Sequence, residues 1–292
     1  MGHQSGRDSH LFFATLGCAV ILSGVALSLT VLASGSGGNS TVLASSRTRL
    51  LIDCGLSCRE TCRRLAGQGI APESLSAILI THEHADHVAG VHVMAKKFRL
   101  PVYMTAPTQA EWQRLFKDSA GKPVQAARLE TFQPGRAFSV GDIDVMPFTI
   151  PHDAADPVGF RFLAEGVRVA IATDLGFVPP NVRDQLRACD GLVLESNHDL
   201  EMLRGGSYPW AVKQRVMSRV GHLSNDSLAE FLTTDYDGGA AFLVLAHLSK
   251  QNNHPELARV TAERALGIRQ GELWGNRLYL ASQDDPLPTM TL

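Results

Sequence analysis

Four potential metal ligands lie within six residues of this chain, in the segment His82-Glu83-His84-Ala85-Asp86-His87. The segment follows an apolar run at residues 75–80, so we expect the ligands where a buried strand gives way to a loop. A catalytic divalent cation needs neutral imidazoles and carboxylates held nearly rigid around an open coordination position. Short spacing at a strand end supplies that rigidity, and the segment therefore predicts a metal site.

Further groups that can bind metal follow other apolar runs. They are Asp53, His152, Asp174 and His247. Taken singly, a His at a strand end is most simply a hydrogen-bonded edge residue, and an Asp there is most simply a cap. Because α/β proteins usually build their sites where strand ends gather along one sheet edge, these groups and the first segment together predict two ligand sets around a shared carboxylate.

The elements that position these residues alternate between strands and helices. The pattern predicts strands at 29–33, 41–44, 49–52, 75–80, 102–105, 138–142, 143–150, 159–164, 168–172, 191–194 and 240–246. It predicts helices at 57–67, 88–98, 108–117, 181–187, 209–220, 224–233 and 255–266. Mixed strands with interleaved helices indicate a layered α/β (α+β) architecture, in which helices cover sheets.

Composition limits the classes of partner and of site. The 292 residues carry 27 basic and 29 acidic side chains, so no overall positive field attracts nucleic acid or membrane, and a polyanion needs a local patch. Five cysteines in a chain that is 45% hydrophobic do not form a disulfide framework. Cys54, Cys58 and Cys62 are predicted to be small, half-buried free thiols.

The N-terminus allows several interpretations. Residues 11–33 are uncharged and long enough to cross a bilayer, but 29–33 leads into a glycine-rich turn and is predicted to be the first strand. We therefore expect residues 1–27 to be a hydrophobic appendage and 28–292 to be the folded domain. The appendage is a short membrane segment or signal at 11–28, or the product of an over-extended start of translation. A cytoplasmic location is favoured, with membrane anchoring through residues 11–28 as the alternative.

The order of the motifs resembles the metallo-β-lactamase superfamily, in which an Asp after an early strand precedes His-x-His-x-Asp-His, a His, an Asp and a His. The resemblance implies the four-layer αββα fold, with two mixed sheets sandwiched by helices. It implies a ligand set for each of two ions: His82, His84 and His152 for one, and Asp86, His87 and His247 for the other. Asp174 would bridge the ions, and Asp53 would orient the ligand loop.

Within that superfamily, the chain is most similar to the YycJ (WalJ) type proteins. The similarity is carried by residues 29–40, 51–57, 195–199, 221–225 and 247–250. Members of that family are cytoplasmic and have 5′→3′ exonuclease character on DNA, which implies the same activity and substrate here. The N-terminal extension departs from the family, whose members begin near the first strand.

Glu195 and His222 also resemble the proton-donating pair of ribonuclease Z. By that resemblance His222, held by Glu195, would protonate the departing alkoxide, while Asp86 would orient the nucleophile. The alternative is that His222 only caps or packs before the helix at 224–233. A rival ligand assignment exchanges His222 and His247. The strand that precedes His247 favours His247 as the ligand.

Two divalent ions about 3.5–4 Å apart can share a hydroxide and hold both the attacking and the leaving oxygen of a phosphodiester. Oxygen and nitrogen ligands suit Zn²⁺ or Mn²⁺ equally well. Such a centre suits phosphodiester hydrolysis, and the resemblance to the YycJ (WalJ) type proteins makes a phosphodiesterase or 5′→3′ exonuclease acting on DNA the leading expectation. The alternatives are a small-ester hydrolase on the same metal pair, of lactonase or thioesterase type, and a metal-dependent binding protein without catalysis.

A short run of basic and aromatic residues precedes His222. Its members are Tyr208, Trp210, Lys213, Arg215 and Arg219. Such residues contact phosphates and stack on bases in nucleic-acid sites, but an ordinary solvated helix face has the same composition. The sequence supports both interpretations equally.

Overall fold

The computed structural model describes residues 27–270 and 277–292, and these residues form two seven-stranded sheets. The first sheet has the spatial order β14 (Met290–Thr291), β1 (Ser28–Ala33), β2 (Ser40–Ala44), β3 (Arg49–Ile52), β4 (Ala77–Leu79), β5 (Val102–Thr105) and β6 (Leu129–Phe132). Pairing is antiparallel from β14 to β3 and parallel from β3 to β6. The carboxyl ends of β3 to β6 therefore share one edge.

The second sheet has the spatial order β13 (Leu278–Leu280), β12 (Phe242–Ala246), β11 (Gly191–Glu195), β10 (Val167–Ala172), β9 (Val158–Ala164), β8 (Ile143–Thr149) and β7 (Phe138–Val140). Pairing is parallel from β13 to β10 and antiparallel from β10 to β7. Strands β8, β10, β11 and β12 consequently all end at the same edge of this sheet.

Helices cover the outer face of each sheet. They are α1 (Cys58–Gly67), α2 (Ala85–Val88), α3 (Val91–Phe98), α4 (Ala106–Leu115), α5 (Pro180–Leu186), α6 (Leu200–Gly205), α7 (Trp210–Val216), α8 (Asn225–Thr234) and α9 (Pro255–Gln270). One apolar core lies between the sheets, a second lies between the first sheet and its helices, and a third lies between the second sheet and its helices. The predicted architecture of two mixed sheets sandwiched by helices is confirmed.

Most predicted elements are present, and the differences have local causes. The helix predicted at 88–98 begins only at Val91, because the N–H of Gly90 donates to Cys54 O at 2.8 Å instead of to a carbonyl of the same helix. The helix predicted at 209–220 ends at Val216, because the next residues turn back and Val220 O accepts from the backbone N–H of Asp153. Strands β6, β13 and β14 and helices α2 and α6 were not predicted, since they are short and carry little hydrophobic periodicity.

The N-terminal predictions are only partly covered by the structure. The strand predicted at 29–33 is confirmed as β1. Residues 1–26, which carry nearly all of the predicted appendage at 1–27 and of the candidate span at 11–28, lie outside the described residues. Within 27–270 and 277–292, every helix is too short or too polar to traverse a bilayer. Cys58 and Cys62 are half-buried free thiols, as predicted, whereas the free thiol of Cys54 is fully buried.

Candidate metal centre

The histidine-rich segment lies at the carboxyl end of β4, where the first sheet meets the second. His84 is the N-cap of α2, so the chain turns into one helical turn directly after the strand. This turn places His82 Nε2 3.1 Å from His84 Nδ1. Both His82 and His87 are fully buried, and the segment therefore presents its ring nitrogens to a protected volume.

The second sheet completes the first ligand set. His152 follows β8, and its Nε2 lies 3.2 Å from His84 Nδ1. One ligand atom from each of His82, His84 and His152 lies within 4.8 Å of the others. Burial lowers the pKa of His82 well below its usual value and also lowers that of His152. Both rings are therefore neutral at pH 7, which is the form that binds a metal.

The second ligand set contains Asp86, His87 and His247. Asp86 Oδ2 lies 3.5 Å from His87 Nε2 and 3.4 Å from His247 Nε2. One ligand atom from each residue lies within 4.8 Å of the others. His247 follows β12 of the second sheet, so this set, like the first, joins the two sheets. His222 does not belong to this group of described residues.

Asp174 lies between the two sets. It follows β10, and its Oδ2 is 3.3 Å from His87 Nε2. That oxygen is buried and accepts no well-aligned hydrogen bond from the described residues. Asp174 also groups with His82 and His87 within 4.8 Å. A buried carboxylate oxygen without a donor is costly unless a cation is nearby, so the residues present fit bound divalent metal.

The two buried histidines nearest Asp174 have a raised pKa. Burial opposes the charge on His87 and His247, but the neighbouring carboxylates outweigh it, Asp174 most strongly, and raise both values well above the usual one. The same histidines hold the pKa of Asp174 well below its usual value, against the effect of burial. The carboxylates therefore concentrate negative charge where cations would bind.

Three residues of the site share an unusual backbone conformation. Asp53, Asp174 and His247 have φ angles of 57°, 61° and 55°. Left-handed backbone costs about 1–2 kcal/mol for a residue with a Cβ atom, and Asp and His tolerate it better than bulky or branched residues. Each conformation turns the chain immediately after β3, β10 or β12, so the side chain lies at the shared edge.

Asp53 orients the histidine-rich segment through hydrogen bonds. Its Oδ2 accepts a hydrogen bond from His87 Nδ1 at 2.8 Å, which leaves His87 Nε2 directed at Asp86 and Asp174. Its Oδ1 accepts from the backbone N–H of Thr81 at 2.9 Å. These contacts are those expected of a residue that orients a metal-binding imidazole.

Glu195 ends β11 and is completely buried. Its Oε1 accepts hydrogen bonds from His222 Nδ1 at 2.8 Å and from His247 Nδ1 at 2.9 Å. Its Oε2 accepts from the backbone N–H groups of Leu175 and Leu223. Burial opposes ionisation of Glu195, but the adjacent His222 and the other donors lower its pKa to about 2. Glu195 is therefore an anion that holds two imidazoles in fixed orientations.

His222 is the more accessible of these two histidines. Its side chain is 21% exposed, compared with 2% for His247. Burial lowers its pKa, but Glu195 raises it by more, so the net shift is upward. Ser224 is the N-cap of the helix that follows, because its side chain accepts from the backbone N–H of Ser227. His222 therefore lies before the cap and is free of that structural task.

One polar contact of the centre was not predicted. Asn39 Nδ2 lies 3.3 Å from Asp86 Oδ2 and 3.0 Å from His87 Nε2. Its Oδ1 accepts from the backbone N–H of Gly35, which holds the glycine-rich turn between β1 and β2. That turn joins the antiparallel strands β1 and β2 as a hairpin. The N–H groups of Gly35, Gly37 and Gly38 are bonded within the protein, which stabilises the hairpin.

Comparison with known proteins identifies relatives along most of the chain. A model of the beta-lactamase superfamily domain matches residues 48–248. Exodeoxyribonuclease WalJ of Streptococcus pneumoniae is 39% identical over 252 residues, which cover 85% of this chain and 93% of the relative. Exodeoxyribonuclease YycJ of Bacillus anthracis is 35% identical over 263 residues, which cover 90% and 97%. Ribonuclease Z of Mycobacterium bovis is 27% identical over 252 residues, which cover 76% and 85%.

A solved structure supports the architecture independently. The metallo-beta-lactamase fold protein YhfI from Bacillus subtilis superposes with a TM-score of 0.65 at 19% identity, over 89% of this chain and 99% of that protein. At this identity the similarity concerns the fold alone. It agrees with the two sheets and their covering helices, so the predicted αββα fold is confirmed.

Proposed function

Since this chain belongs to the beta-lactamase superfamily, and within it to the family of the exodeoxyribonucleases WalJ and YycJ, we propose that it is a metal-dependent phosphodiesterase that degrades DNA from the 5′ end. The observation that carries the proposal is the convergence of histidines and aspartates from both sheets on one buried volume. The relatives' names supply the DNA substrate, and the arrangement of side chains supplies the means of hydrolysis.

We propose that the centre binds two divalent ions, Zn²⁺ or Mn²⁺, in two ligand sets. The proposed ligands are His82, His84 and His152 for one ion, and Asp86, His87 and His247 for the other. Asp174 is the proposed bridge, supported by its buried oxygen that lacks a well-aligned donor. When bound, such a pair makes water more acidic and offsets the negative charge of a phosphodiester.

The remaining residues of the centre orient groups and move a proton. Asp86 is 22% exposed at its side chain, and we propose that it orients the attacking water. The imidazolium of His222, held by Glu195, gives its Nε2 proton to the departing alkoxide. The choice of His247 over His222 as ligand is supported by the contact of His247 with Asp86 and by the greater exposure of His222.

The test is an assay of the purified full chain on 5′-end-labelled DNA, RNA, a small phosphodiester and a neutral ester. The assay is run after chelation and after addition of Zn²⁺ or Mn²⁺. We expect metal-dependent release of nucleotides from the DNA 5′ end and slower turnover of the small diester. An Asp174→Asn variant should lose both activities and bound metal, whereas Asp190→Asn, at the opposite end of β11, should lose neither. Turnover of neutral esters alone would refute the proposal.

The proposed substrate also suggests where the enzyme acts. We propose a cytoplasmic location, because that is where the DNA of the bacterial relatives' cells lies, with anchoring through residues 11–28 as the alternative. Fractionation of cells that express the full chain, compared with a chain that starts at residue 27, distinguishes the two. Recovery of the full chain alone in the membrane fraction would establish anchoring.

A further inference from the structure

A chain segment that carries basic but no acidic residues adjoins the centre. From Met202 to Asn225 the chain has four basic residues and no Asp or Glu, although the whole protein has a net charge of −2. The four are Arg204, Lys213, Arg215 and Arg219. All lie on α6, α7 or the turn after α7. Lys213 is buried and its Nζ donates to Arg204 O, so Arg204, Arg215 and Arg219 are the exposed cations of the positive surface that this segment forms. A local patch of this kind is what a polyanion requires in a nearly neutral protein.

The positive surface is fixed to the loops that carry two proposed metal ligands. The backbone N–H of Asp153 donates to Val220 O at 3.1 Å, and His152 Nδ1 donates to Gly221 O at 3.2 Å. The Arg215 guanidinium pairs with Asp153, directly beside His152. A Cβ atom on Gly176 would lie 2.4 Å from the Arg219 backbone. The surface consequently begins at the rim of the centre.

Exposed apolar side chains lie on the same segment. Trp210 is 63% exposed, Val212 39% and Val220 44%, and these are three of the seven large exposed hydrophobic residues among the described residues. Trp210 opens α7, and Arg215 lies five residues later, a rise of about 7.5 Å. That distance is about two nucleotides at a rise of 3.4 Å per nucleotide. An exposed indole about two nucleotides from Arg215 is suited to stack on a base of a strand that enters the centre.

The guanidinium of Arg219 is positioned to contact a phosphate. Its guanidinium carbon lies 4.1 Å from the centre of the Phe177 ring, and it has no carboxylate partner among residues 27–270 and 277–292. Stacking on an aromatic face fixes the planar group but leaves its edge donors available for an anion. Arg204, by contrast, pairs with Glu201 at 2.9 Å on the exposed side of α6.

From this arrangement we infer that residues 204–220 bind the single strand of DNA that leads to the scissile phosphate. Trp210 stacks on a base, and Arg219 contacts a phosphate near the metal rim. The inference rests on the proposed nuclease function and adds the surface that makes the enzyme prefer a polynucleotide over a small diester. Single-stranded DNA is favoured over a protein partner because an exposed indole, apolar side chains and Arg219, which has no carboxylate partner among the described residues, lie together on a segment that itself carries no Asp or Glu.

The test compares variants of the full chain on 5′-phosphorylated single-stranded DNA and on bis(p-nitrophenyl) phosphate. For Trp210→Ala we expect kcat/KM on DNA to fall roughly 5- to 150-fold relative to kcat/KM on the small diester, because one stacked base is lost. Trp210→Phe should restore most of it. Arg219→Gln should reduce the slope of log KM against log salt by about 0.7, the value for one phosphate contact on a single strand.

Control substitutions at exposed sites on helices that cover the other sheet are Val93→Ala and Arg114→Gln, which should change neither substrate's turnover. Equal loss on both substrates in Trp210→Ala, or no loss on DNA, would overturn the inference. So would sedimentation showing that Trp210→Ala dissociates a dimer, because the surface would then be a contact between copies. Failure of the unmodified enzyme on both substrates would instead refute the proposed function.

Discussion

Replacement of His222 by Ala tests whether this side chain supplies a proton. A positioned general acid contributes about 10²- to 10⁴-fold to the rate, which is about 2.7–5.5 kcal/mol of transition-state stabilisation. The loss applies only where the leaving group needs protonation. We therefore expect kcat on DNA, whose leaving group is an alkoxide, to fall by that factor. On bis(p-nitrophenyl) phosphate, whose phenolate is a weak base, we expect less than a 10-fold change.

The structure indicates that the variant should fold. His222 contributes one of four hydrogen bonds to the Glu195 carboxylate, and the bonds from His247, Leu175 and Leu223 remain. Leaving one acceptor position unfilled costs about 1–3 kcal/mol of stability. The backbone bond from His222 N–H to Val216 O at 2.9 Å does not involve the side chain. The main effect should therefore appear in the rate.

The assay measures single-turnover rates on both substrates together with bound metal. His92→Ala is the control, because its side chain bonds the Gln125 carbonyl oxygen, away from the centre. Equal loss on the two substrates with full metal content would refute the role of His222 as an acid. A loss of one bound ion would instead make His222 a ligand, the rival assignment to His247.

Three further predictions concern the surroundings of the centre. Asp53→Asn should weaken metal binding about 10- to 100-fold, measured by competition with a chelator, because His87 Nδ1 loses its carboxylate partner. Gly55→Ala should lower the free energy of unfolding in urea by at least about 3 kcal/mol, since its Cβ atom would lie 1.6 Å from a backbone oxygen of α2. Gly205→Ala, with open space at its Cβ atom, should change it by less than about 1 kcal/mol. Burial raises the pKa of Cys189 from 9.0 to about 12, so the unfolded thiol ionises first and stability falls as pH rises through that range. Peptide mapping should find Cys189 alkylated by iodoacetamide at pH 9 only in urea, and alkylation of the native protein there would contradict this.

The sequence predicted the central strands well because they are fully buried apolar runs that end on polar residues. Strands β4, β11 and β12 have this form, and β10 has it from Val169 onward. The edge strand β6 has the sequence Leu-Glu-Thr-Phe with only its last residue buried, so its hydrophobic pattern is too weak to distinguish it from a loop. The two-residue strand β14 exists only because β1 offers it an edge, which is a tertiary effect.

The sequence predicted the positions of the proposed ligands, but it did not predict the supporting contact of Asn39. Each proposed ligand follows a strand or lies in the compact motif, and strand direction then determines which edge it occupies. Asn39 gave no such signal, because a turn asparagine is usually a local hydrogen-bonding residue. Its contact with Asp86 joins residues that are 47 positions apart. Such a contact depends on how two loops pack, which hydrophobic periodicity does not encode.

Hydrogen bonds from backbone N–H groups join the two sheets beside the centre. The N–H of His247, one residue beyond β12, donates at 2.8 Å to Ser34 Oγ, which directly follows β1 of the other sheet. The N–H of Val158 donates to Thr81 O at 3.1 Å, directly before the histidine-rich segment. Ala155 N–H donates to the Glu83 carboxylate. Because each bond joins one sheet to the other, the apolar core between the sheets determines the distance between the ligands that each sheet contributes. A change of side-chain volume in that core should therefore alter the geometry of the centre, even though no residue of the centre is changed.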